Sequence, residues 1–476
     1  MRFQFLRLTN TSYRCLVERR KHGMSLCTPF MKYASTPQLH MTRRSLHTIF
    51  QPKRVLILTK LSRLEFEKLR QPEQSDGELE SVLRHRGSDY STLLYHHYIH
   101  KGCESRVHKC FQEFGVETRL VNRFNYTQEN IDWADVIVTT GGDGTFLMAA
   151  NRIQDRNKPV IGFNTDPTRS EGYLCLPKKY SVNVREAVRK LFEGKFLWTF
   201  RRRIRITLTG ECVFEPPVEL HDQQLAHPEF RFFDCLQEQH QSAGTCEAPA
   251  NSATQRTRVL PVLALNEVYF GECVSARVSY IEVGVDGGEK VKSKNAGLCV
   301  TTGTGSTSWS YNINKISKSM VKDLFEIIEQ DENEQTIALS GIPQNKVIRS
   351  TNNLLIDRIT TMYNSKLIFN PESGFMQYTI RDPISSYTLP CANEICPRGL
   401  AKRLDVRSRC FDACLVIDGG LSFSFNDGTH ATLEVHDSDA LRTIVDVERE
   451  IDNHNFNSSN DNDMSSKSKL VSDSLT

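Results

Sequence analysis

The stretch that decides the fold is Val136-Ile-Val-Thr-Thr140, followed by Gly141-Gly142-Asp143-Gly144-Thr145 and then Phe146-Leu-Met-Ala-Ala150. An apolar β-branched run breaks into glycines around one aspartate and resumes with good helix formers, which reads as strand, tight turn, helix. Glycines let backbone N–H groups approach an anion with no Cβ in the way, and the following helix aims the positive end of its dipole at the same point. The turn therefore suits phosphate. Asp143 is the odd member, because a carboxylate repels phosphate unless a metal or a substrate hydroxyl stands between them. The competing reading is a plain glycine turn in which Asp143 caps the helix, and the pentapeptide alone does not separate the two.

Upstream of this turn, Arg54-Val-Leu-Ile-Leu-Thr59 is apolar without alternation, as expected of a strand buried on both faces. Leu64, Phe66 and Leu69 suggest a helix in the charged segment that follows. Tyr98 to Phe114 is predicted helical and ended by Gly115, Val116 to Val121 is a second strand, and Thr127 caps a short helix that leads into Asp135–Thr140. Downstream, Pro159 to Phe163 reads as a strand and Val182 to Phe192 as a helix stopped by Gly194. Strands alternating with helices imply crossovers and a mostly parallel sheet, so residues 53–198 form an α/β nucleotide-binding domain. Ligands of such sheets sit beyond the carboxyl ends of the strands, where the glycine turn lies.

The pattern changes near Phe200. Arg203-Ile-Arg-Ile-Thr-Leu-Thr209 and Arg277-Val-Ser-Tyr-Ile-Glu-Val283 alternate strictly, and Asp286-Gly287-Gly288 is a hairpin signal, so residues 199–410 form a β-rich domain. The triple Arg201-Arg202-Arg203 offers charge to a phosphate, but solvated side chains at a strand entrance are the simpler expectation. Residues 211–258 are polar and aperiodic, a surface insertion whose histidines, His221, His227 and His240, are too dispersed for a metal site. Asn266-Glu267 stands inside the strand-like run Leu263 to Phe270, where a buried polar pair needs either protein partners or a ligand. Leu298-Cys-Val300 runs into Thr301-Thr-Gly303-Thr304-Gly305-Ser306-Thr-Ser308-Trp309, a second turn rich in donors and followed by an aromatic that can flank a base. Ala413 to Ile417, Asp418-Gly-Gly420, Ser422 to Phe425 and Asn426-Asp427-Gly428 read as a meander. Residues 447–476 are disordered by composition.

Composition sets the outer limits. The chain has 476 residues, 39% of them apolar and 25% charged, with a formal net charge of +3. That balance suits a globular protein of two domains and gives no basic field for nucleic acid. No apolar run approaches bilayer length, so a soluble protein with no membrane association is expected. Fourteen cysteines are scattered without zinc-ligand spacing, which favours reduced, structural thiols. Residues 1–51 hold nine Lys/Arg against the single acid Glu18, the composition of a mitochondrial transit peptide; a disordered basic tail is the alternative.

Gly141-Gly142-Asp143-Gly144-Thr145, Asn266-Glu267 and Thr302-Gly-Thr-Gly305-Ser-Thr-Ser-Trp309, in that order and at these separations, resemble the NAD kinases. The mitochondrial branch of animals is the nearest, through Gly162-Phe-Asn-Thr-Asp166-Pro-Thr-Arg-Ser-Glu-Gly172 and Arg407-Ser-Arg-Cys410-Phe-Asp-Ala-Cys414. The resemblance spans about Lys53 to Thr443. It implies an α/β plus β architecture: an N-terminal domain related to the phosphofructokinase and diacylglycerol kinase folds, a C-terminal β-rich domain, and a last segment, 411–446, returning to the first. The implied reaction is ATP-dependent phosphorylation of the adenosine ribose 2′-hydroxyl of NAD, giving NADP, with Mg2+ accompanying ATP, in the mitochondrial matrix.

By the same resemblance Asp143 contacts and deprotonates that hydroxyl. Gly141, Gly142, Gly144 and Thr145 shape the phosphate-accepting turn. Asn266 and Glu267 hydrogen-bond NAD, and Thr304, Gly305, Ser306 and Trp309 lie where the family holds its adenosine part. The chain departs from the wider pattern in two places. Gly303 and Trp309 stand where many members have proline and tyrosine, so a more pliable loop is expected. Asn295-Ala296-Gly297 stands where many have Ala-Asp-Gly, which removes a contact often made across a tetramer and leaves a homodimer as the expectation. A lipid kinase of the diacylglycerol or sphingosine type shares the glycine turn but leaves Asn266-Glu267 and the Trp309 loop unexplained. A silent NAD-binding regulatory protein would be expected to have lost Asp143.

Overall fold

The computed structural model describes residues 50–211, 213–221, 256–274, 276–331, 352–384 and 395–446, all within the compact unit Ser45–Thr476. The leader read over 1–51 lies outside the described residues except for Phe50 and Gln51, and the tail read over 447–476 lies outside them entirely.

The apolar runs without alternation become the centre of a parallel sheet. Strands β1 (Arg54–Thr59), β2 (Glu117–Val121), β3 (Val136–Gly141) and β4 (Val160–Asn164) pair in parallel, and β5 (Phe196–Arg201) lies at the far edge. Helices α1 (Arg63–Arg70), α2 (Asp76–His85), α3 (Tyr90–Glu113), α4 (Gln128–Trp133), α5 (Asp143–Asn151), α6 (Lys179–Val182) and α7 (Val184–Phe192) connect them. Alternate residues of each strand feed two apolar layers. Val55, Ile57 and Val138 meet Val107 and Phe111 of α3 on one face, and Leu56, Leu58 and Ile137 meet Phe146 and Ala149 of α5 on the other. Both faces are covered, which is why these strands need no polar side. Helix α3 begins well before the expected Tyr98, because Asp89 accepts from the Thr92 amide at 3.1 Å and starts the helix there.

The alternating runs become a sandwich. Its strands are β6 (Ile204–Gly210), β7 (Val218–Glu219), β8 (Arg256–Val259), β9 (Glu267–Glu272), β10 (Ser279–Val285), β11 (Val291–Asn295), β12 (Leu298–Thr301), β13 (Met376–Ile380), β14 (Arg398–Ala401), β15 (Arg403–Ser408), β16 (Ala413–Ile417), β17 (Leu421–Ser424) and β18 (His430–Val435). One sheet runs β11-β10-β15-β18-β6-β8 and the other β14-β13-β12-β9-β16-β17-β7. Ile206, Val283 and Leu404 of the first face Phe270, Val300 and Leu415 of the second in one core. The span 211–258 carries β7 and β8 at its ends, paired to β17 and β6; residues 222–255 lie outside the described residues.

Of residues 411–446, β16, β17 and β18 stay in the sandwich. Only the last strand, β19 (Leu441–Asp446), joins the parallel sheet, between β4 and β5.

The arginine triple is not solvated. Arg203, directly before β6, is fully buried next to buried Ile204, while the alternation holds through the strand itself. Its Nη1 donates to the carbonyls of Ala150 (2.8 Å) and Ile153 (2.7 Å), and its Nε to that of Asp439 (2.6 Å). Those first two carbonyls are at the C-terminal end of α5, where a helix leaves acceptors unsatisfied and its dipole favours a cation. Burial pulls this guanidinium down to about 10, which keeps it charged at neutral pH. Arg203 thus ties α5 to the sandwich, while Arg201 reaches Thr304 and Arg202 pairs with Asp437.

Candidate active site

The glycine turn forms as its sequence dictates. β3 ends at Gly141 and α5 starts at Asp143, with Gly142 as N-cap in extended backbone. A Cβ on Gly141 would stand 2.2 Å from Thr145 Oγ1, so the first turn of α5 closes over the strand only because glycine is there. Asp143 does not cap its own helix. Its Oδ2 accepts from the Tyr173 amide (3.0 Å) and its Oδ1 from the Leu174 amide (2.9 Å), both on the loop after β4. That loop is pinned in turn by Asn164, which donates to Ser170 O (3.0 Å) and accepts from the Asp166 amide (3.1 Å). Among the described residues the amides of Gly142, Asp143 and Gly144 have no backbone acceptor, which leaves them for an anion.

The second part of the site assembles around Asp418. The sequence reads this residue only as the first position of a hairpin turn, and its φ of 47° fits that. Its carboxylate also accepts the amides of Leu265 (2.8 Å), Asn266 (2.8 Å) and Glu267 (2.9 Å). Asn151, the last residue of α5, donates its amide nitrogen to Asp418 Oδ2 at 2.8 Å in the orientation that satisfies its surroundings. Burial raises Asp418 to about 6 despite these donors. Glu267 is pushed up to about 7 by burial and by the Asp418 charge, and Ser308 Oγ donates to it at 3.1 Å. The Asn266 carbonyl accepts the Thr302 amide (3.0 Å) and Thr301 Oγ1 (2.9 Å). The Asn266 side-chain oxygen is buried and has no partner.

Asn266, Glu267 and the Thr302–Trp309 turn are therefore one hydrogen-bonded unit. Within it the hydroxyls face inward. Ser306 donates to Gly303 O (2.7 Å) and accepts from the Phe369 amide (3.2 Å), Thr304 accepts from Arg201 (3.3 Å), and the Gly305 amide donates to Thr302 Oγ1 (3.2 Å). The pliable loop expected from Gly303 is not what forms. Gly303 is buried, and a Cβ there would stand 2.1 Å from Asn370 O. The backbone of 370–371 occupies the space, so glycine here means close packing. Trp309 is 38% exposed, with the Tyr269 ring 5.1 Å and the Arg381 guanidinium 5.5 Å from its ring.

A cavity of about 370 Å³ runs along one side of α5 from the glycine turn to Asp418; Asp143, Asn266, Glu267 and the Thr302–Trp309 turn are not among the residues that line it. Gly142, Gly144 and Thr145 line it at the start of the helix, and Asn151, Arg152 and Asp418 at the end; eight residues of α-helix span about 12 Å. Arg123 and Arg152 reach Glu219 of β7 at 2.9 and 2.6 Å on its far wall. Lys60, directly after β1, also lines it. Sequence reasoning missed Asp418, Ser308 and Lys60. Asp418 carried a turn signal and Ser308 stood inside the second donor-rich turn, without their roles, while Lys60 carried the signal of a charged residue at the carboxyl end of a buried parallel strand.

The described residues contain no group of three or more His, Cys, Asp or Glu placed to hold a metal, and the eight cysteines among them are free thiols. No helix among them is long and apolar enough to cross a membrane.

A crevice at the carboxyl ends of parallel strands, built of unpaired amides and a held carboxylate, marks a class that handles phosphorylated nucleotides. The family profile described as "ATP-NAD kinase N-terminal domain" matches residues 75–196, which include the glycine turn. "NAD kinase 2, mitochondrial" of Homo sapiens is 39% identical over 83% of this chain and 85% of its own length. The proteins of that name from Rattus norvegicus and Xenopus tropicalis are each 40% identical, over 83% of this chain and 88% and 91% of their lengths. The chain belongs to the NAD kinase family.

Proposed function

We infer that this protein transfers the terminal phosphoryl group of ATP to the adenosine ribose 2′-hydroxyl of NAD, giving NADP, in mitochondria. The observation that carries this reading is the Asp143 carboxylate. Each of its oxygens holds one backbone amide and keeps acceptor capacity, beside a turn whose amides are open to phosphate.

The 2′-hydroxyl donates to Asp143 while its oxygen bonds to the γ-phosphorus, and its O–H bond breaks as that bond forms, the proton passing to the carboxylate. The bond from that phosphorus to the bridging oxygen breaks, and its electron pair leaves with ADP. A carboxylate is too weak a base to ionise a ribose hydroxyl in advance, so the proton moves late and the earlier work of Asp143 is orientation. The hydroxyl also separates the carboxylate from the phosphate, which removes the repulsion noted for the bare turn. Asn266 Oδ1, buried and unpartnered, is suited to a donor on NAD. Glu267, raised to about 7, can accept or donate near neutral pH. Trp309 offers an exposed ring to a base, and Thr304, Gly305 and Ser306 serve by fixing the loop that presents it.

Mg2+ supplies charge neutralisation on the ATP phosphates. The acceptor positions of Asp418 are taken by three amides and Asn151, so this carboxylate would not hold the ion, which would enter with the nucleotide. The same reading includes an α/β domain of the phosphofructokinase and diacylglycerol kinase type, a cleaved leader, the matrix compartment and a homodimer; light scattering on the purified protein tests the last.

The decisive assay incubates the protein with ATP, Mg2+ and NAD and measures NADP with an NADP-specific dehydrogenase. NADP is expected. Well-folded protein that forms none overturns the reading, and labelled phosphate appearing on lipid replaces it with a lipid kinase.

A further inference from the structure

We propose that Lys60 is a catalytic residue that grips the transferring phosphoryl group of the donor; the inference rests on the kinase reading above. Three observations place it. First, Lys60 follows β1, and its amide donates to Thr140 O at 3.0 Å, which fixes it beside the last residues of β3 and hence beside the glycine turn. Second, it lines the same cavity as Gly142, Gly144 and Thr145, and the amides of Gly142 and Gly144, which have no backbone acceptor among the described residues, mark where an anion sits. Third, its ammonium has no hydrogen-bond or ion-pair partner among the described residues, although Lys60 is partly buried. The nearby acid Asp166 is already engaged by His96 at 2.8 Å and by Thr168 Oγ1 at 2.7 Å.

The other cations of the cavity are disposed differently. Arg123 and Arg152 share the carboxylate of Glu219, so their charge is largely balanced within the wall. They lie toward the far end of α5 from Asp143. The phosphoryl group that reaches the ribose hydroxyl held by Asp143 must be at the near end, where Lys60 supplies the cation. The charges facing Lys60 are Asp166 and Arg169 from the loop after β4 and Glu65 from α1, with Cys103 of α3 also near. Burial dominates and draws the ammonium below the ordinary lysine value. A partly desolvated ammonium without a partner interacts more strongly with a phosphate than a hydrated one.

In the transfer step Lys60 remains protonated. It donates to the equatorial oxygens of the γ-phosphoryl group as the bond to ADP breaks and the bond to the 2′-oxygen forms, and it follows the group from donor to acceptor.

The test is Lys60→Met in the full chain, with Lys60→Gln read in the same way should the methionine variant melt early. The turnover number for NADP formation is expected to fall about 100-fold or more, with KM for NAD within about threefold of the parent. Affinity is then measured by calorimetry for Mg-ADP and for a non-hydrolysable triphosphate analogue. The variant should bind the diphosphate as the parent does and lose the parent's preference for the triphosphate, a difference that a merely structural role would not produce. Turnover within about threefold of the parent, or equal weakening of diphosphate and triphosphate, overturns the role of Lys60. If the parent itself makes no NADP, the kinase reading fails instead, so the two failures are distinct.

Discussion

Asp143 shows how little a residue type says before its neighbours are known. A carboxylate at the start of a helix is by default a cap, yet this one gives its lone pairs to the amides of Tyr173 and Leu174. Asp143→Asn keeps the shape and removes the proton acceptor. NAD binding by calorimetry should stay near the parent while turnover falls about 10³-fold; turnover near the parent level would remove Asp143 from the chemistry. Glu267 makes a prediction about pH. Its folded value of about 7 stands above its ordinary value of 4.5. The unfolded chain releases this proton first, so the contribution to stability is lost as pH rises from about 4.5 to 7 and stays lost above that. The urea midpoint of the parent minus that of Glu267→Gln should therefore decrease from pH 5 to pH 8. Asp418, raised to about 6, acts in the same direction in both proteins. A difference that is flat or rises with pH would contradict the burial assigned to Glu267.

Among the elements, α5 carries most of the organisation. Its first turn offers the amides, its side lines the cavity, Asn151 reaches Asp418, and its last carbonyls hold Arg203. Arg203→Met strands three carbonyls in a buried junction, and should cost about 3 kcal/mol in chemical denaturation. Gly303→Ala places a Cβ against Asn370 O and should cost about 1–3 kcal/mol; a melting temperature equal to the parent's would show that the loop yields after all. The helices and strands of the α/β half were legible because their signals are local: apolar runs, caps such as Thr127, stops such as Gly115 and Gly194. Arg203 was not, because its partners are backbone carbonyls about fifty residues upstream, and carbonyls leave no mark in a sequence. Asp418 was half legible. Its turn was plain, but the three amides it gathers lie about 150 residues away.

For the whole molecule, periodicity told the strands buried on both faces from those with one solvated face, while the number of strands in each sheet and their order did not follow from it. Nothing in Leu441–Asp446 announces that it lies between β4 and β5, since a strand's neighbours depend on the path of the chain and not on its own pattern. A chain ending at Ala440 should fail to give a cooperative unfolding transition, because β5 then has no neighbour in the sheet. Recovery of a folded, monodisperse protein would refute that. The position of β19 also sets a timetable. β5 ends at Arg201 and β19 starts at Leu441, so at about 5–20 residues per second the ribosome needs roughly 10–50 s to supply the missing strand. Throughout that interval the nascent sheet has an open seam between β4 and β5. The α/β half completes its fold only after the sandwich has been synthesised, and a holdase that covers the seam until then would raise the yield of native protein.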